Sequence, residues 1–319
     1  MVLNPHASLV AAQPGRLLDA RKLLALYVLL PLSVFLFIFD QLIWHQYLQQ
    51  RILPANPEQW PYWSLVFGLP HIVASLITLA DREYYIYYRR RLVAPLFWIS
   101  TFVASGILGP QPASSLVLYS VLAVYTIYHV LAQQLGLSAM LVRQKPNQLF
   151  LWWKWIAIFS GVAIYIDLYG TPYLRSSETS RGYGSLILPG MALFLCAVQL
   201  VISIRLVMDC KSALARWYLM ANSVMLMFLF MFNTLGYSIL VILIPRVIHD
   251  LTAYFVYVTH DINRNRSVAR NYFYRLPFFR IAPLVIVLPV ASLSIAYLLS
   301  ISQAYELISA LILVLYFFH

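Results

Sequence analysis

Long apolar runs, separated by short polar links, constrain this chain more than any other feature. They start near Leu23 and recur as far as Phe318. A run of about 20 apolar residues crosses the hydrocarbon core of a bilayer as a helix. Lipid offers no partner to a backbone N–H or C=O, so only helices and closed barrels cross it. The runs here are continuous rather than alternating, which argues against a barrel. Composition agrees. Of 319 residues 62% are hydrophobic and only 10% charged, and mean hydropathy is +0.76. A soluble domain carries about 25% charged residues, so too little polar surface is present to cover a water-soluble globule. The fold class expected is all-α, a polytopic transmembrane helix bundle.

Hydropathy and helix breakers give ten candidate spans: Leu23–Trp44, Pro61–Ala80, Leu92–Gly109, Ser114–Leu141, Leu151–Tyr169, Ser185–Val207, Trp217–Phe232, Tyr237–His260, Ile281–Ser300 and Gln303–Phe318. Gly109-Pro110-Gln111-Pro112 and Asn233-Thr234-Leu235-Gly236 are the clearest stops. The net charge of +11 could suggest nucleic acid, but the basic residues sit in clusters between apolar runs. With the N-terminus inside, eighteen Lys and Arg fall on the cytoplasmic side and three (Arg51, Arg175, Arg181) outside, while Arg246 lies within a helix. That asymmetry implies a multi-pass protein of the cell membrane with both termini cytoplasmic. Residues 1–22 read as a cytoplasmic tail and 23–319 as a single membrane domain. The expected partners are the lipid bilayer and a lipid-soluble substrate. The basic clusters contact anionic lipid, and nucleic-acid binding is not expected. The first run reads as a transmembrane helix rather than a signal peptide. Cys196 and Cys210 define no disulfide scaffold.

Ionisable residues at mid-depth are costly and face a bundle interior. His71, His129 and His249 each fall near the middle of a span, on helices running in the same direction. Three histidines at one depth can converge on a shared metal, pack structurally, or relay protons. Around them, Arg246 and Asp250 stand four apart and can pair on one helix face. Pro245 removes a hydrogen bond just before them and is expected to kink the helix. Gln133 and Gln134 follow His129 by one turn as candidate partners that orient its ring. His260 closes the same helix as His249. Eleven residues separate the two, about 16 Å along a regular helix, so both cannot ligate one ion unless the helix breaks. His45, His6 and His319 fall at a span end or in the tails. Imidazole suits Fe, Zn, Cu or Ni. An all-histidine set in an apolar bundle suits non-haem iron, Fe(II), acting on a lipid-soluble substrate.

Absent patterns narrow the chemistry. No HxxxH or HxxHH pair, HExxH, DxxxD, mid-membrane lysine, GxSxG, Walker or Rossmann glycine pattern occurs.

Three segments resemble the Brp/Blh family of membrane-embedded β-carotene 15,15′-dioxygenases. Gly68-Leu69-Pro70-His71 is similar to that family's GLPH segment. Tyr128-His129-Val130 stands where the family has an aromatic-rich helix with a single ligand histidine. Tyr254-Phe255-Val256-Tyr257-Val258-Thr259-His260-Asp261 resembles its YFxxxxHS stretch. The resemblance implies an all-helical, multi-spanning oxidoreductase that holds one ferrous ion with histidines and cleaves a carotenoid with dioxygen into retinal. It favours His71, His129 and His260 as ligands, whereas depth favours His71, His129 and His249. The family continues GLPH with Gly-Ala-x-Asp, where this chain has Ile72-Val73-Ala74-Ser75. Where the family has its next histidine, this chain has Arg264. The leading expectation is an intramembrane iron oxygenase acting on a carotenoid or other long isoprenoid. A small-solute or proton-coupled transporter relaying through Arg246, His249 and Asp250 is the alternative, and a haem protein with two axial histidines is a third.

Overall fold

The computed structural model describes residues 18–53, 68–142, 147–174, 184–265, 269–276, 283–302 and 305–319. The N-terminal tail up to residue 17, the aromatic segment around Trp60 and Trp63, and the first part of the Pro61–Ala80 candidate span lie outside them. The described residues are predominantly helical and contain no strand, only an isolated bridge between Asp81 and Asn271.

Eleven helices follow one another: α1 (Ala20–Leu42), α2 (Leu69–Leu79), α3 (Arg82–Tyr88), α4 (Val93–Leu108), α5 (Ala113–Val142), α6 (Gln148–Leu174), α7 (Gly184–Asp209), α8 (Ala213–Thr234), α9 (Ser238–Asn265), α10 (Leu284–Ile301) and α11 (Glu306–Phe318). Side-chain caps start several of them, satisfying backbone donors that the first turn leaves open. Asp19 accepts from Arg21 N, Asp81 from Glu83 N and Ser212 from Ala215 N. Gly236, at φ +78°, makes the expected break between α8 and α9.

Six helices (α1 and α5 to α9) are long and apolar enough to cross a membrane, so the chain is a multi-pass membrane protein. Helices α3 and α4 join them as a seventh if taken together, although the two are bent by 74° at their junction. The remaining candidates, α2, α10 and α11, are shorter apolar helices. Among the described residues the apolar runs therefore outnumber the long helices, because hydropathy registers apolar content while crossing demands length. Pro245 lies inside α9, which continues through it as one helix from Ser238 to Asn265.

The apolar side chains collect into three cores. The largest joins α1 with α5 to α8 and the first half of α9, from Ile239 to Ile248. A second joins α2, α10 and α11 with the second half of α9, where Tyr254, Tyr257 and Val258 pack. A third lies between α4, α5 and α11. Helix α9 thus changes partners near His249. Around that point α2, α5, α9 and α11 meet: α9 packs on α2 and α5, and α11 packs on the same two.

Candidate metal centre

His71, His129, His249 and His319 come together at this junction, one from each of the four helices, with a ring nitrogen of each within 4.8 Å of the others. His71 Nε2 lies 2.9 Å from His319 Nε2, leaving room for one proton between them at most. The His71 ring stands edge-on to those of His249 and His319, with centroids 5.0 Å and 4.5 Å apart. His129 completes the group, with centroids 5.3 Å from His249 and 4.8 Å from His319. His71 and His249 are fully buried, whereas His129 and His319 are half-buried.

The GLPH segment builds the first corner. Gly68 caps α2 at φ +113°, a conformation that L side chains resist, and Pro70 occupies the first turn, where its missing N–H costs nothing. The glycine also makes room. A Cβ on residue 68 would overlap the Arg246 guanidinium, with Cζ at 2.5 Å and Nε at 2.7 Å. Arg246 in turn approaches Asp250 across one turn of α9 (Nε to Oδ1, 3.7 Å). Asp250 Oδ1 stands 2.9 Å from His71 Nδ1. That approach is off-line, so neither atom makes a well-formed hydrogen bond among the described residues.

Supporting contacts orient two further rings. Ser75, one turn beyond His71, donates to Ile72 O (2.7 Å) and lies 2.8 Å from His319 Nδ1. Its one proton is committed to the carbonyl, so its oxygen must accept Nδ1–H. That fixes the His319 tautomer and leaves the Nε2 lone pair facing the cluster. Gln133 brings its side-chain amide to 3.0 Å from His129 Nε2. Gln134 faces away from the centre, accepting from Tyr218 (2.7 Å) and Tyr27 (3.5 Å) in the large core.

His260 does not join the cluster. It sits at the far end of α9, with Nδ1 3.1 Å from Asp261 and Nε2 2.8 Å from Tyr84. Arg264 clamps Asp81 through two hydrogen bonds, of 3.0 Å and 3.2 Å, and reaches Glu83 at 2.8 Å. Burial raises the Asp81 carboxyl, but the Arg264 guanidinium outweighs that and holds it below its ordinary range. The fourth imidazole comes instead from His319, which neither expected ligand set contains. The signal available in the sequence is the shortness of the preceding apolar run. A helix of 13 residues rises only about 20 Å, less than the roughly 30 Å of a hydrocarbon core.

The donor set fits a metal ion. Among the described residues His249 Nε2 is buried without a hydrogen-bond partner, a costly state for a polar atom unless something binds it. Nitrogens around one ion at about 2.0–2.1 Å stand up to about 4.2 Å apart, so closing on an ion needs only small ring adjustments. No thiolate or carboxylate belongs to the group, which selects imidazole-preferring transition metals over calcium or magnesium. Comparison with protein-family models, curated proteins and solved structures returns no match. The class of protein is therefore defined by its own features: a multi-pass helical membrane protein with a buried four-histidine cluster.

Proposed function

We propose that His71, His129, His249 and His319 hold a ferrous ion and that the protein is an intramembrane oxygenase acting on a carotenoid or other long isoprenoid. The observation that carries this reading is the convergence of four imidazoles from four helices, with His249 Nε2 lacking a hydrogen-bond partner among the described residues. When bound there, iron supplies activation of dioxygen. The chain's own residues do the rest. Ser75 and Gln133 orient His319 and His129, Arg246 balances the Asp250 charge, and packed apolar helices exclude water. The half-buried His129 side, flanked by Tyr125 and Phe317 (ring centroids 5.8 Å apart), is the side from which a lipid-borne substrate approaches. The same reading puts the protein in the cell membrane with its N-terminal tail cytoplasmic, and takes the shorter helices as membrane-embedded segments, α11 ending at the buried centre.

Metal analysis of detergent-purified protein, with an optical spectrum of the same sample, tests this directly. Near-stoichiometric iron without a Soret band is expected. His319→Ala and His71→Ala should lose the iron while remaining folded, and His260→Ala should keep it. Absence of metal under chelator-free conditions would overturn the assignment.

One observation favours a second reading. Arg246, Asp250 and His71 form a buried chain of charge and imidazole at the cluster, the pattern of a proton-coupled carrier. Solute uptake abolished by Asp250→Asn in protein that holds no metal would select it.

A further inference from the structure

A second group of titratable side chains lies at the far end of α9, away from the histidine cluster. Asp261 is buried, and its Oδ2 accepts hydrogen bonds from Tyr274 OH (2.6 Å) and Thr78 Oγ1 (3.3 Å). Its Oδ1 faces His260 Nδ1 at 3.1 Å. A carboxylate only accepts, so His260 carries its proton on Nδ1. Its Nε2 lone pair then accepts from the hydroxyl of Tyr84, 2.8 Å away. The tautomers of the whole file are thereby determined: Tyr84 donates to His260, and His260 donates to Asp261. The pair is reachable from outside, since the His260 side chain is 29% exposed.

At rest the shared proton belongs to the Tyr84 hydroxyl, the donor of this hydrogen bond. Removal of one electron reverses the preference, because an oxidised phenol is a strong acid. The Arg264 guanidinium, 5.4 Å from the Tyr84 ring, is already engaged by Asp81 and Glu83, so its charge is compensated.

We propose that Tyr84 and His260 form a redox-active tyrosine–histidine pair. Tyr84 gives one electron to a one-electron oxidant, its O–H bond breaks, and the proton passes to His260 Nε2. The products are a neutral tyrosyl radical and an imidazolium held against Asp261. Only the identity of the internal oxidant, a metal centre oxidised by one electron, rests on the function proposed above. Tyr254 and Tyr257 lie on α9 between His249 and His260, over about 16 Å of helix, and place aromatic rings along that route.

Flash oxidation of metal-free, full-length protein in detergent tests the pair independently of the metal centre. The oxidant is photogenerated ruthenium(III) tris-bipyridine with a cobalt(III) acceptor, and the readout is electron paramagnetic resonance. Wild type should give a fast-forming neutral tyrosyl signal whose formation slows in deuterated water. Tyr84→Phe should lose the fast phase. His260→Gln, which can still donate to Asp261, should slow it about 100-fold, the scale of a removed general base. An unchanged fast phase in Tyr84→Phe, or the lack of a solvent isotope effect in wild type, overturns the proposal whether or not the His260 variant folds. Loss of iron from the histidine cluster would leave these outcomes unaltered, so the two readings fail separately.

Discussion

Replacing Gly68 by alanine tests how closely the GLPH segment is fitted to the centre. The substitution adds one methyl at φ +113°, where the backbone alone costs about 1–2 kcal/mol for an L residue. That methyl also meets the Arg246 guanidinium, with Cζ at 2.5 Å, which must move. Movement loosens Arg246 from Asp250 and, through Asp250, the seat of His71. Complete loss of one partner from a buried ion pair costs about 3–5 kcal/mol, and a displaced guanidinium forfeits part of that. A net destabilisation of about 3 kcal/mol is expected, read by denaturant or thermal unfolding in detergent and accompanied by lower iron occupancy. Repeating the substitution in an Arg246→Ala background isolates the overlap. There the cost should fall to the backbone share of about 1–2 kcal/mol. A loss below about 0.5 kcal/mol in the wild-type background, the scale of an ordinary surface change, would refute the reasoning.

Other outcomes follow from the same structure. Ser75→Ala frees the His319 tautomer and should weaken metal affinity about 10–100-fold, the cost of losing a partner behind a ligand, with little change in unfolding temperature. Asp40 is fully buried and accepts from Leu48 N (2.7 Å), Gln49 N (3.2 Å) and Tyr237 OH (2.7 Å). Asp40→Ala should therefore cost about 3–5 kcal/mol by stranding three donors, while Asp40→Asn should cost less, both measured by equilibrium unfolding. Asp81 titrates below its unfolded value, so its contribution is fully present above about pH 4 and is lost as pH falls through the lowered folded value. Asp81→Asn should flatten that acid limb of a stability–pH profile, and an unaltered limb would exclude Asp81 as its source.

The helical class is legible from composition because lipid leaves the backbone few choices, and the long runs at Leu23, Ser114, Leu151, Ser185, Trp217 and Tyr237 all correspond to long helices. The remaining runs are not settled by hydropathy. Residues 69–79 and 306–318 are as apolar as the long helices, and among the described residues they form helices of 11 and 13 residues. Length and neighbours, not hydropathy, decide their fate. At the site, His71, His129 and His249 are found by depth, since each interrupts an apolar helix where a polar group is costly. His319 escapes that argument because it closes a helix instead of interrupting one. His260 is suggested by the YFxxxxHS-like stretch, but 11 residues along an unbroken helix carry it too far from His249. Asp261 and Tyr84 claim it instead. Arg246 and Asp250 are visible from their four-residue spacing, whereas the role of Gly68 as the space for Arg246 emerges only in three dimensions.

His71 and His319 touch across 248 residues of chain, and α9 passes from one apolar core to another beside them. A bond between such distant partners forms late, because its loop-closure entropy must be met before the contact repays it. The histidine junction therefore sits where separately packed apolar cores meet. If the centre holds the ion proposed above, a chain whose helices fail to meet there presents fewer than four rings and forgoes the mass-action stabilisation that ion would supply.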